Sequence, residues 1–220
     1  MQKPSDEERE SVRERILAAA LPNVPFDGWS ITLLRNAEKE SGIDRDETRH
    51  AFPLGLVDLV TYWLDRCDAE MVSALSRSDL AKLKIREKIT LAVRTRLEVM
   101  TKHRIAARKA LTFLSSPLQA AAGATALYNT VDAIWRAIGD KSSDFNFYTK
   151  RATLAGVYSA TLIYWLSDDS EAFKKTWEFL DHRIDDVMQI EKVKARVQEA
   201  VEKLPDPFKI LGSIRYPNSR

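Results

Sequence analysis

The sequence predicts an all-α protein, and three observations carry that reading. Across 220 residues, 45% are hydrophobic and 30% charged with only seven Gly and eight Pro, which fits a helix-rich globule better than a disordered or fibrous chain. Apolar residues recur at steps of three and four, as in Phe173, Trp177, Leu180, Ile184 and Val187, with Lys174, Glu178, Asp181 and Asp185 opposite. Ser or Asp stands before several apolar runs and Gly or Pro after them, the start and stop signals of helices.

Taken in order, Ser5 with Glu8 three residues on forms a capping box for a first helix over 5–20, whose Val12, Ile16, Ala19 and Ala20 share one face. Pro22 and Pro25 are expected to stop it. Gly28-Trp29-Ser30 opens a second helix over 31–41, which Gly42 ends. A short third helix covers 44–52, and Pro53-Leu54-Gly55 leads into a long fourth over 56–74. Residues 79–100 read as an amphipathic helix with Leu83, Leu91 and Leu97 set against Arg86, Lys88, Arg94 and Arg96. The basic run over 102–108 reads as a solvated helix end.

Pro117 opens a helix to Ile138 that is crowded with small residues: Ala120, Ala121, Ala122, Gly123, Ala124 and Ala126. Small side chains permit close helix approach or empty space. The next helix, over 152–166, is apolar all round, so it must be covered on every side or line an apolar cavity. Two more helices, over 170–188 and 191–203, precede Pro205 and Pro207. The working division is a helix-turn-helix-like region over 1–55, a helical bundle over 56–204 and a C-terminal tail over 205–220, whose Phe208, Ile210 and Leu211 lie among basic residues.

Between the two apolar helices lies a corner, residues 130–151. Trp135 and Ile138 close one helix, Gly139-Asp140 breaks it, and Ser142, Ser143 and Asp144 restart the chain with Phe145, Phe147 and Tyr148 in the first turn. Aromatic groups beside Asp144, Asn146, Lys150 and Arg151 suggest a docking surface.

The charge balance excludes several functions. Net charge is +2, from 34 basic and 32 acidic side chains, so no strong overall field draws the chain to nucleic acid or an anionic membrane. A single cysteine, Cys67, fits a reducing compartment and, between Leu64 and Met71, reads as a buried thiol. Residues 1–15 are rich in both charges and read neither as a secretory signal nor as an organelle presequence. The uncharged stretch between Arg151 and Asp168, at 16 residues, falls short of the ~20 needed to span a bilayer. The expected location is the cytoplasm, with peripheral contact at the inner face of the membrane.

Catalytic constellations are not found. Glu47 and His50 give one E-x-x-H copy where a di-iron bundle needs two, and no H-E-x-x-H, cysteine pair, nucleophile elbow or phosphate loop occurs. Asp132 and Asp144 read as a helix-surface charge and a cap. No cofactor, no metal and no enzymatic activity are expected.

The corner and the two helices after it carry a resemblance. Val131-Asp132, Trp135, Gly139-Asp140, Ser143-Asp144-Phe145-Asn146, Tyr148-Thr149, Arg151, Leu154-Ala155, Tyr158, Asp168, Thr176-Trp177 and Phe179-Leu180, with an N-terminal echo in Ile16-Leu17-Ala19-Ala20, Val24-Pro25 and Gly28-Trp29, resemble the ubiquinone (coenzyme Q) biosynthesis accessory family. That resemblance implies a TetR-like fold and a non-enzymatic protein, typically a homodimer, that holds isoprenoid quinone intermediates or phospholipid in an apolar pocket. It also implies a partner, the di-iron demethoxyubiquinone hydroxylase, with docking at Asp144, Asn146, Phe147, Tyr148 and Arg151. At Phe147 some members have Trp; the Phe keeps an apolar anchor and lacks the indole donor. Ala121, Ala124, Tyr128, Leu154, Tyr158, Leu162 and Trp165 are the expected pocket-lining positions. The alternative is a TetR-type ligand-responsive transcriptional regulator, since three short helices with Gly at the second turn resemble its helix-turn-helix. Asp44, Asp46 and Glu47 on the third helix face phosphates with the wrong sign, which argues against DNA as the partner.

Overall fold

The structure is a computed structural model that describes residues 5–140 and 145–202, with side chains placed over 5–140 and 147–189. Asp144, the side chain of Asn146, the Ser142-Ser143 start signal and the tail over 205–220 lie outside the described residues. Ten α-helices occur among the described residues and no strand. In order they are α1 (Asp6–Ala20), α2 (Val24–Asp27), α3 (Ile31–Ser41), α4 (Arg45–Ala51), α5 (Leu56–Ser76), α6 (Ile85–Val99), α7 (Arg104–Leu114), α8 (Ala120–Ala137), α9 (Phe145–Ser167) and α10 (Lys174–Glu202). Two compact units divide the chain, Met1–Leu180 and Asp181–Arg220.

The N-terminal helices are made by their caps. Ser5 Oγ accepts from the Glu8 N–H at 3.2 Å while the Glu8 carboxylate accepts from the Ser5 N–H at 2.7 Å. Asp44 and Glu47 repeat the arrangement at the start of α4, so two of the acidic residues of that helix are engaged in capping it. Gly42 ends α3 at φ 65° and ψ 25°, a left-handed conformation that costs other residues more. Helix α1 ends at Ala20, just ahead of Pro22, as expected. Pro22 and Pro25 occupy the first turns of a 3₁₀ segment, Leu21–Asn23, and of α2, where the missing N–H would have had no partner in any case.

Arginines of α1 close the carbonyl ends of its neighbours: Arg13 Nε donates to Ala51 O at 2.9 Å and Arg15 Nη2 to Ser41 O at 2.6 Å. Trp29 lies 5.5 Å from Trp63, centroid to centroid, and donates from Nε1 to Ala106 O at 3.1 Å, while Lys109 Nζ donates to Pro25 O at 3.0 Å. These contacts tie α2 and the joint between α2 and α3 to α5 and α7.

In the bundle, α5 packs on α6 and α8, and α8 packs on α9. Leu59, Trp63, Met71, Leu75, Leu97 and Ile134 are buried there. Helix α6 begins at Ile85 rather than near Asp79, because a 3₁₀ turn, Leu80–Lys82, comes first and Glu87 caps the Lys84 N–H at 2.7 Å. Helix α9 is not covered on all sides: Ala152, Thr153, Gly156 and Ile163 are exposed along one face. The two helices expected after Asp168 are one, α10.

The basic run over 102–108 is only in part the solvated end expected: Lys102 and Arg108 are exposed, but the arginines of the run also bond to the fold. Arg104 Nη2 donates to Trp165 O at 2.8 Å and Asp168 O at 2.6 Å, and Arg108 Nη2 donates to Leu166 O, so both guanidinium groups satisfy carbonyls at the C-terminus of α9. Asp168 then turns the chain into α10, accepting from Ser170 N, Thr176 N and Thr176 Oγ1 at 2.9, 2.9 and 2.6 Å. Burial pushes its carboxyl up, but the bonds from Thr176 and Ser170 outweigh burial and hold it well below the usual carboxylate range. In the second unit, Arg183 and Asp186 pair at 2.9 Å within α10. No described helix is long and apolar enough to cross a membrane.

Candidate functional site

The small residues of α8 do two things. At Gly123 the backbone touches α7: a Cβ there would stand 2.9 Å from Leu114 O and 3.2 Å from Leu114 Cβ. On either side, Ala120, Ala124 and Ala126 leave space, and a cavity of about 310 Å³ opens between α5, α6, α7, α8 and α9. That volume falls at the lower bound of the ~300–1,000 Å³ of small-molecule sites and exceeds the ~150 Å³ at which an apolar cavity already takes up benzene.

Its walls are carbon. Leu64 comes from α5, Met100 follows α6, α7 gives Ala107, Ala110, Leu111 and Leu114, α8 adds Leu127, and α9 gives Leu162 and Ile163. Of the seven expected lining residues, the structure places Ala124, Tyr158 and Leu162 on the cavity. Ala121 and Tyr128 are exposed, Tyr128 at 46%, on other faces of α8. Leu154 and Trp165 are buried away from the lining; Trp165 packs against Phe173 at 5.8 Å between centroids. Sequence reasoning missed the α6 and α7 walls. The signal available was Ala106 and Ala107 inside the basic run with Ala110 just after it, and Arg96 standing in the same stripe as Ala92, Val93 and Leu97.

Arg96 is fully buried and lines the cavity. Its Nε donates to Asp68 Oδ1 at 2.5 Å and its Nη2 to Leu64 O at 3.2 Å, while Thr130 Oγ1 donates to Asp68 Oδ2 at 3.0 Å. Burial pushes the Asp68 carboxyl above its ordinary value, and Arg96 and Thr130 only partly draw it back. Burial also pushes the Tyr158 hydroxyl up to about 12, against the pull of the Arg96 charge, so Tyr158 is a neutral O–H at any physiological pH. Behind this group Cys67 is buried as expected, its thiol pushed up to about 11 chiefly by desolvation.

The corner between α8 and α9 is an ion-pair lock. Arg151 donates from Nε to Asp132 Oδ1 at 2.7 Å and from Nη1 to Phe147 O at 3.2 Å, and its Nη1 reaches Asp140 Oδ2 at 3.5 Å. Asp132 also meets Arg136 Nε at 2.6 Å, and Lys150 Nζ meets Asp140 at 2.9 Å. Arg151, expected on the docking surface, is therefore buried, and Asp132 is an internal charge rather than a helix-surface one. Phe147 is half-buried with its ring centroid 3.4 Å from Arg151 Cζ, edge-on to Tyr148. Tyr148 is 68% exposed. Of the expected docking residues with described side chains, Tyr148 presents most surface.

On α4, Arg49 is tied to Asp46 at 3.3 Å and His50 Nδ1 lies 2.7 Å from Asp46 O. The helix spans seven residues. No group of three or more His, Cys, Asp or Glu among the described residues could hold a metal ion.

With this geometry in place, comparison with known proteins is informative. Residues 120–191 match the COQ9 family model. The match begins on the alanine-rich wall of the cavity and runs through the corner, α9 and into α10. Over most of its length the chain is similar to COQ9 proteins: 32% identical over 193 residues to the ubiquinone biosynthesis protein COQ9, mitochondrial, of Drosophila melanogaster, covering 86% of this chain and 59% of that protein. The rat COQ9 protein is 32% identical over 205 residues, covering 90% and 65%, and the human one 30% over 205 residues, covering 90% and 64%. The chain thus spans about three fifths of the length of the COQ9 relatives it matches. The resemblance drawn from the corner residues agrees with these matches. The TetR-like fold is matched by the crystal structure of a TetR transcriptional regulator from Nitrosomonas europaea, with TM-score 0.65 at 20% identity over 80% of this chain and 97% of that one.

Proposed function

We propose that this chain is a non-catalytic lipid carrier of ubiquinone biosynthesis, which holds a polyisoprenoid quinone intermediate in the cavity between α5 and α9 and presents it to the di-iron demethoxyubiquinone hydroxylase. The observation that carries this reading is an apolar cavity of about 310 Å³ walled by alanines and leucines. A hydrocarbon tail gains ~0.8 kcal/mol for each methylene withdrawn from water, so such a cavity favours an isoprenoid over any polar metabolite. The names of the COQ9 relatives supply the pathway.

The side chains near the cavity support carriage over catalysis. The Cys67 thiol and the Tyr158 hydroxyl stay protonated, and Asp68 is held by Arg96 and Thr130. The hydroxylase would meet the corner, with Tyr148 and the edge of Phe147 as anchors beside Asp144 and Asn146. Leu118, 91% exposed in the joint between α7 and α8, and exposed Ile163 at the cavity suit a peripheral membrane contact through which a lipid enters. The carrier works as a homodimer, and DNA is not its partner.

The test is direct. Protein purified under native conditions and extracted for mass spectrometry is expected to yield an isoprenoid quinone or its precursor. A strain lacking the gene is expected to accumulate demethoxylated quinone; normal quinone content in that strain would overturn the assignment.

A further inference from the structure

The cavity has a polar floor that its own fold does not satisfy. Arg96 has three guanidinium nitrogens: Nε is taken by Asp68 and Nη2 by Leu64 O, but Nη1 is buried with no hydrogen-bond partner among the described residues. A buried donor left unmade costs free energy, more so on a charged group, so its retention calls for an explanation. Tyr158, which lines the same cavity close enough to Arg96 to feel its charge, makes no hydrogen bond to a described residue through its hydroxyl. Two buried residues that carry donors thus line a space whose other walls are mostly hydrocarbon.

We propose that Arg96 Nη1 is the donor that recognises the head of the ligand, and that the cavity takes a neutral, oxygen-bearing aromatic or quinonoid ring with its hydrocarbon tail leading outward. The proposal rests on the lipid-carrier reading and names the chemistry of that same site. The direction follows from burial. Arg96, Thr130 and Tyr158 at the floor are buried, whereas Ser115, Ala120, Ala124 and Ile163 at the mouth are exposed. A polar ring carbonyl therefore finds a buried charged donor only at the inner end, while the way out is mostly carbon, with the hydroxyls of Ser115 and Ser159 as its polar exceptions.

Neutrality follows from the charges already present. The Arg96 cation is balanced by the Asp68 carboxylate 2.5 Å away, and both side chains are buried. A phosphate head would set a further anion beside the buried Asp68 carboxylate, at a depth where such repulsion is poorly screened. A carbonyl or ether oxygen accepts the orphan N–H without that penalty. The volume is suited to a substituted ring and the first part of a tail, so the remainder lies outside.

The experiment compares two probes on the whole chain: a 1,4-benzoquinone carrying one isoprene unit, and the benzene derivative carrying the same unit without the ring oxygens. The wild type is expected to bind the quinone roughly 10- to 100-fold more tightly, the range for a hydrogen bond to a charged group. Arg96→Met combined with Asp68→Asn removes the donor without stranding a buried carboxylate, and is expected to abolish the preference, so that the two probes bind equally; a preference retained in this variant overturns the proposal. Equal affinity of the wild type for both probes overturns the proposal and leaves the lipid cavity standing; binding of neither probe overturns the lipid-carrier reading itself. Should the double variant not fold, infrared spectroscopy of the labelled quinone on the wild type decides: a lowered carbonyl frequency on binding is expected, and an unshifted band refutes the donor.

Discussion

Asp132 on α8 and Arg151 on α9 form a buried ion pair, 2.7 Å apart, across a helix corner that separates them by 19 positions in the chain. The pair fixes the angle at which α9 leaves α8, and hence two walls of the cavity. Removing one buried partner strands the other, at a cost of about 3–5 kcal/mol. Arg151→Met is therefore expected to lower the urea midpoint strongly with little change in slope, and the double variant Arg151→Met with Asp132→Leu to be less destabilised than either single one.

Ala124 lies on the mouth of the cavity, partly exposed. Ala124→Trp is expected to fill the mouth and reduce co-purifying lipid about tenfold or more, at no more than the ~1–3 kcal/mol that overpacking costs. Lipid content by mass spectrometry, read beside a thermal melt, checks both halves.

Tyr148 is the sharper probe of docking at the corner. Phe147→Lys would place an ammonium group against the Arg151 guanidinium and confuse binding with folding. Tyr148→Asp removes an exposed ring and is expected to weaken hydroxylase binding by about 30-fold, the loss of a ~2 kcal/mol hot spot, with an unchanged melting temperature. Calorimetric titration against the hydroxylase measures it; unaltered affinity would remove the corner from the interface.

Cys67 gives the pH dependence. Its thiol is raised to about 11 in the fold, above the value of an unfolded chain. A group raised in the folded state holds its proton there while the unfolded chain loses it, so its stabilising effect is intact below pH ~8.5 and is lost as pH climbs toward 11. Stability should fall over that interval in the wild type and fall less in Cys67→Ala. Iodoacetamide at pH ~8, just below the ordinary thiol range, should modify Cys67 only when the protein is unfolded.

The corner itself was legible, because Gly139 is a local signal and sits at φ 88° as a stop requires. Its electrostatics were not. Asp132 and Arg151 each read as surface charges within their own helix, and only the turn between the helices brings them together. The cavity was half legible for the same reason. The alanine bias of α8 marked a wall, and Ala124 fell on it, but Ala121 lies on an exposed face and Trp165 is covered by Phe173, a contact made across a loop. Arg96 was the informative exception. A charge within an apolar stripe is visible in sequence, though the Asp68 that answers it is 28 residues away.

The wall where α7 and α8 meet has a further consequence. Side chains usually let a binding site adapt by swinging between rotamers, but Ala107, Ala110, Ala120, Ala124 and Ala126 have no rotamers to change, and at Gly123 the wall is main chain against main chain. At these positions the spacing of two backbones sets the width, as in a gauge of fixed width, while Leu111, Leu114 and Leu127 on the same two helices keep rotamers to change. Against the alanine and glycine positions a bulkier group gains no room unless the helices part, so adaptation of this wall falls to the leucines.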